Sequence, residues 1–197
     1  MRTAAVAVVA LALAAAAGAR SETTRIQLYR AIVDSKVAPG FTVAKTAKGR
    51  CFSGSSADSR SDAWRCFIGA NLIADPCFAA TPSRGWVVCP LDGSPFSTKL
   101  VRLTLTSALP KAMANHGSAG GGNPWAIKLV GGQVCTFLTG ATFAYHGKRV
   151  NYGCTTTSKG TTFLAGSPDR THATWTITLG TGPRSQPKTA VILTAVW

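Results

Sequence analysis

Apolar residues run unbroken from Ala4 to Ala17 behind Met1-Arg2-Thr3, and no later stretch of the chain repeats such a run. A short charged start followed by an apolar segment of this length is the pattern of a secretory signal peptide. It is too short to cross a bilayer, which takes ~20 apolar residues. Ala17-Gly18-Ala19 has the small-x-small form of a cleavage site, so residues 1–19 are expected to be removed and the mature chain to begin at Arg20. No Cys follows the apolar run directly, so a bacterial lipid anchor is not expected, nor is a membrane span.

Beyond the signal, the period of the pattern changes along the chain. Ile26, Tyr29, Ile32 and Val33 fall at helical spacing, and Ser21 and Glu22 can cap and charge a helix start. A short helix from Glu22 to about Asp34, ended by Pro39-Gly40, is therefore expected within a 20–47 extension, with a strand over Phe41 to Ala47. From Cys51 to Cys89 the pattern is irregular, with Ser, Asp, Arg and Pro between the cysteines. Loops and cross-links are expected there rather than long elements, with Trp64, Phe67 and Trp86 as packing anchors.

After that the period becomes two. Val101, Leu103 and Leu105 alternate with Arg102, Thr104 and Thr106; Trp125, Ile127 and Leu129 share a face; Ala173, Trp175, Ile177 and Leu179 alternate with threonines; and Thr189 to Trp197 is β-branched. Gly131-Gly132 predicts a hairpin turn into Val134 to Leu138, and His146-Gly147 predicts a second between Phe143-Ala144-Tyr145 and Lys148 to Cys154. Residues 107 to 124 read as a flexible loop. The fold class expected is mainly β, an antiparallel sandwich or small barrel with a disulfide-rich N-terminal part and one short N-terminal helix. Residues 48–197 are expected to form a single disulfide-stabilised β domain.

Cys51, Cys66, Cys77, Cys89, Cys135 and Cys154 form an even set beyond the signal, which in an exported chain predicts a disulfide framework. Short separations favour closure between nearest neighbours, Cys51–Cys66, Cys77–Cys89 and Cys135–Cys154. The third pair raises a register problem. Pairing about His146-Gly147 sets Cys154 opposite Thr139, four residues from Cys135, so either a bulge near Gly140 breaks the register or the bridge ties non-adjacent strands. A zinc site is not expected, because no C-x-x-C pair occurs and the histidines lie far apart in sequence.

The formal charge is +14, and from Ser94 onward ten Lys or Arg face one acid, Asp169. Such a surface attracts polyanions. For an exported chain these are anionic wall polymers, headgroups and acidic polysaccharides, with nucleic acid a less available partner. Lys128, Lys148 and Arg149 are the contact residues expected on the β surface.

Candidate chemistry is sparse. Asp58, Asp62 and Asp75 can supply a carboxylate pair for glycoside hydrolysis, and His116, His146 and His172 can serve as bases, but no G-x-S-x-G or P-loop pattern aligns them. The even cysteine count leaves no thiol nucleophile, and no catalytic residue, metal or cofactor is assigned. The runs Gly49-Arg50-Cys51-Phe52-Ser53-Gly54, Asp62-Ala63-Trp64-Arg65-Cys66, Gly69-Ala70-Asn71, Asp75-Pro76-Cys77-Phe78 and Asn151-Tyr152-Gly153-Cys154 resemble small uncharacterised secreted proteins of high-GC Gram-positive bacteria, some joined to membrane kinases. The resemblance implies an extracellular disulfide β domain and carries no activity. The leading expectation is a secreted non-catalytic binding module for an anionic envelope polymer or partner protein. A small secreted hydrolase and an extracellular inhibitor or effector are the alternatives.

Overall fold

The computed structural model describes residues 23–82, 84–110, 122–155 and 161–197, so the expected signal peptide, the Ser21 cap, His116 and most of the glycine loop lie outside the described residues. The described residues form strands and turns with no helix among them, and the β chain closes twice on itself as two small barrels.

The first barrel is a meander of β4 (Thr42–Gly54), β5 (Ala63–Ile68), β6 (Leu72–Ala79), β7 (Trp86–Pro90) and β8 (Lys99–Leu105). Each strand runs antiparallel to the next, so with an odd number the first and last must meet in the same direction. β4 and β8 do so, pairing in parallel from Thr42↔Lys99 to Gly49↔Leu105. The region expected to be loops is thus mainly strand, because its cysteines fall at inward positions of a ladder. Cys51 faces Cys66 across β4 and β5, and Cys77 faces Cys89 across β6 and β7. Together with Trp64, Val87, Val101 and Leu103 they fill the interior. At Gly49 the wall admits no side chain, since a Cβ would lie 2.2 Å from the Phe67 carbonyl oxygen.

The second barrel comprises β9 (Ala126–Leu129), β10 (Val134–Phe137), β12 (Lys148–Cys154), β13 (Phe163–Asp169), β14 (Thr176–Gly180) and β15 (Lys188–Val196), with the short β11 (Ala144–Tyr145) pairing onto β12. Six strands close with every neighbour antiparallel, β15 returning to β9. Both expected hairpins form. His146 and Gly147 have φ of 47° and 76°, the left-handed pair that a tight two-residue hairpin turn demands, whereas Gly131 and Gly132, at 94° and 88°, belong to a three-residue loop with Val130.

The register problem resolves as a bulge. Next to the turn Ala144 pairs with Arg149, while further along Cys135 sits directly opposite its disulfide partner Cys154. The slip is absorbed by residues 139–142, between the Leu138 amide, which still donates to the Asn151 carbonyl, and the Phe143 carbonyl, which still accepts from the Val150 amide. The bridge therefore joins adjacent strands, and all three cysteine pairs are nearest neighbours.

The expected N-terminal helix is not found. Its residues instead form β1 (Arg25–Gln27), parallel to the end of β15, and a hairpin of β2 (Ile32–Val33) and β3 (Lys36–Val37) turned by Asp34 and Ser35 at φ of 49° and 59°. The reason is tertiary. A helix this short is marginal alone, whereas the extended segment buries Tyr29 against Phe41, Phe78 and Trp125 at ring separations of 5.0–5.3 Å. Thr24 completes the join: its hydroxyl donates to the Ile192 carbonyl and accepts from the Trp175 amide. Tyr29 belongs to a cluster that also takes Ala63, Phe78, Val88 and Leu100 from the outer wall of the first barrel and Ile127, Phe137, Tyr152 and Ile192 from the second. The barrels thus share one apolar contact, and part of the first barrel's outer wall is covered by it.

Candidate functional site

The three basic residues expected to make contact are not gathered. Lys128 on β9 lies with its ammonium 6.0 Å from the Phe96 ring, beside the first barrel's 91–98 turn. Lys148, at the start of β12, donates to Thr178 Oγ1 at 3.2 Å. Arg149 is exposed and lies along the bulge: its guanidinium, 5.6 Å from the Phe137 ring, donates to the Leu138 and Gly140 carbonyls, both at 3.0 Å, and to Asn151 Oδ1 at 2.7 Å. It supplies donors to carbonyls that the register slip removed from the ladder, so its geometry is that of a clamp.

The three aspartates expected to be able to form a carboxylate pair do come together, below the end of β4. Asp75 on β6 accepts from Ser55 Oγ at 2.5 Å and from the Ser56 amide at 3.1 Å, and lies 3.7 Å from Arg65 Nε. Ser55 Oγ in turn accepts from the Ala57 and Asp58 amides, which turns the loop sharply. Asp62 holds Arg60 through two bonds of 2.9 and 2.5 Å, and Arg60 also donates to the Tyr29 carbonyl. Asp58 is 0% exposed; one oxygen accepts from the Arg60 amide and the other is buried without a hydrogen-bond partner.

Burial raises the Asp58 carboxyl above its ordinary range; the Arg60 amide and charge offset part of that, and the charges of Asp62 and Asp75 add to it. Asp75 is raised by burial too, against the bonds from Ser55 and Ser56 and the charge of Arg65. Two carboxyls disposed toward neutrality are the raw material of acid catalysis. Here Asp58 has no opening to solvent, and the bonds of Asp75 and Ser55 are given to the loop. The histidines do not join them. His146 sits at its hairpin tip within 3.2 Å of the Ser185 carbonyl, and His172 is exposed beyond β13.

A groove of about 420 Å³ lies between the Asp92–Ser94 turn and β10 and β12, lined by Val134, Thr136, Gly153 and Cys154. Its volume is within the range of ligand sites, but Asp92 is the only titratable group in the lining. The tryptophans, which could stack on sugars where exposed, divide: Trp64 and Trp125 are buried, while Trp86, Trp175 and Trp197 are partly exposed. The threonine face of 173–179 is half-buried rather than open, and Thr178 is taken by Lys148.

The arrangement that the sequence reading did not single out lies on the uncovered wall of the first barrel. Cys51 faces in, so Lys48 and Arg50 face out, and the register sets Arg50 opposite Phe67 and Lys48 opposite Thr104. Phe52 and Phe67 stack at 4.5 Å, with the Arg50 guanidinium 4.9 Å from Phe67 and that of Arg65 5.8 Å from Phe52. On the neighbouring strands Arg102 lies 4.5 Å from the Trp86 ring. The signal was the alternation Lys48, Arg50, Phe52 around an inward Cys51, visible once that stretch is taken as strand.

No family model, curated protein or solved structure matches the chain. The geometry of its own residues carries the functional reading.

Proposed function

We propose that this chain is a secreted, basic, non-catalytic binding module that holds an anionic polymer of the cell envelope or an acidic partner protein. One observation carries the reading. With 21 Lys and Arg in the sequence, only two ion pairs, Arg60–Asp62 and Arg65–Asp75, occur among the described residues. The remaining described cations have no carboxylate within reach, and a surface of this kind gathers polyanions from solution. The three disulfides suit an oxidising compartment and support export. The sealed position of Asp58 supports a non-catalytic role over hydrolysis.

Co-sedimentation of the purified chain with isolated bacterial envelopes across a salt series tests this. Retention is expected at low salt and is expected to fall steeply as the screening length shrinks from ~30 Å at 0.01 M to ~8 Å at 0.15 M. Absence of retention at any salt concentration, or retention indifferent to salt, contradicts the proposal.

A further inference from the structure

Resting on that reading, we infer that the ligand face is the uncovered wall of the five-stranded barrel, built on Lys48, Arg50 and Arg102, and that its ligand is a linear polysaccharide bearing carboxylates. The outer wall is divided by what covers it. Ala63, Phe78, Val88 and Leu100 pack under the second barrel. On the uncovered part, Lys48 and Arg50 project from alternate positions of β4, ~7 Å apart by strand geometry. Arg102 and Thr104 stand on the adjoining β8, paired to Thr46 and Lys48; Arg102 is half-buried and marks the border of the covered part, since it lies opposite Val88 and its ring partner Trp86 packs against the shared cluster.

These cations are held and free at once. The ladder of β4 with β5 and β8 satisfies the backbone carbonyls around them, so no protein acceptor draws their N–H groups inward. Among the described residues Arg50 and Arg102 make no hydrogen bond or ion pair, and each rests on an aromatic ring, Phe67 or Trp86. A guanidinium lying against a ring keeps its planar fork of donors directed outward, with less side-chain freedom to lose on binding. The fork matches a carboxylate in two parallel bonds.

The shape of the face selects a polymer. It is a convex strand wall with charges at regular spacing, which suits a chain carrying repeated anions rather than a small molecule enclosed in a pocket. Phe52 and Phe67 already stack on each other with a guanidinium at either end of the pair, so they offer no open platform for nucleobases, which single-stranded nucleic acid requires. Arg65 closes one end of the stack and is neutralised by Asp75, so the binding charge lies toward β4 and β8.

Binding of the full chain to immobilised alginate, a carboxylate polysaccharide, is the test, with neutral dextran and duplex DNA as comparators. Alginate is expected to be retained at low salt and dextran is not. Arg50→Ala with Arg102→Ala is expected to weaken alginate binding by about tenfold or more, and Arg50→Lys with Arg102→Lys by less. Lys36→Ala with Lys188→Ala removes the same charge from other exposed strands and is expected to change binding by less than about twofold. Unchanged near-ultraviolet circular dichroism establishes that each variant is folded. Undiminished alginate binding in the arginine-to-alanine pair, an equal loss in the lysine pair, or tighter binding of DNA than of alginate at matched salt overturns the inference. Envelope retention without alginate retention also overturns it while leaving the proposed function in place. Failure of the unmodified chain on envelopes and alginate alike removes both.

Discussion

In the six-stranded barrel Arg149, near the Phe137 ring, directs its donors at two carbonyls of its own bulge and Lys148 bonds a neighbouring threonine; in the five-stranded barrel Arg50 and Arg102 lie on rings and make no hydrogen bond among the described residues. Both barrels are rich in cations, so charge is not what separates them. The separation follows from backbone regularity. Where the strand register slips, carbonyls lose their ladder partners and recruit the nearest guanidinium, because a buried or half-buried carbonyl left alone costs more than a surface cation gains from solvent. The five-stranded barrel has register shifts of its own, but where β4 runs unbroken between them, from Lys45 to Cys51, Lys48 and Arg50 have no partner among the described residues that draws their donors inward, and they remain for a ligand. Regular sheet is thus the better place to seek a binding surface in this chain, and irregular sheet the better place to seek structural arginines.

The largest test of that difference is at glycine. Gly49→Ala places a methyl group against the Phe67 carbonyl in the regular wall and is expected to cost about 3 kcal/mol or more, read as a fall in the denaturant midpoint. Gly140→Ala in the bulge, with open space around it, is expected to be within about 0.5 kcal/mol of the parent. Similar costs at the two sites would break the contrast.

Next in size is the buried carboxyl. Asp58 has a folded pKa above its unfolded value. Its contribution is therefore most favourable below the unfolded pKa and is lost as pH rises through the folded one. Asp58→Asn keeps the acceptor for the Arg60 amide and is expected to stabilise the protein by about 1 kcal/mol at neutral pH, with the gain shrinking toward pH 3. Thermal midpoints at the two pH values check the sign; a gain that grows in acid contradicts it.

The smallest effect sharpens the comparison most directly. Arg149→Ala is expected to cost about 1 kcal/mol and to raise hydrogen exchange locally, at Phe143 through Val150, while leaving envelope retention near that of the parent. A loss of retention without a loss of stability would return Arg149 to the ligand.

Much of the architecture was legible in the sequence, and the physical reasons are specific. The turns at Gly131-Gly132 and His146-Gly147 declare themselves because few residues tolerate positive φ, and once the second turn is fixed the offset of Cys154 leaves a bulge or a tie between non-adjacent strands, a choice that only the strand pairing decides. The cysteine pairs follow from short separations on adjacent strands. The N-terminal helix was misread because Ile26, Tyr29, Ile32 and Val33 fit a helical period equally well when only Tyr29 is deeply buried and Ile26 is 64% exposed. What buries Tyr29 is Phe78 and Trp125, distant in sequence, and no local pattern can contain that contact. The first barrel was obscured for a related reason: over β4 to β6 its buried inward positions are cysteines, Ala79 and Trp64 among polar residues, so period two is weak there, whereas β8 with Val101 and Leu103 was legible. The carboxylate cluster was named from composition, but its sealing by Ser55 and the 55–58 turn depends on the pairing of distant segments.

The strand that replaced the expected helix also sets an order of events. β1 can pair only with residues 194–196, and Thr24 reaches Ile192 across a separation of 168 residues. The earliest described segment therefore has no place to settle until the last strand has been made and has closed the second barrel. Contacts of such length are slow to form, so the strap is expected to dock late, and with it Tyr29 enters the cluster that the two barrels share. Protection of Tyr29 from solvent is thus expected to serve as a clock, marking the moment when both barrels, rather than either alone, have folded.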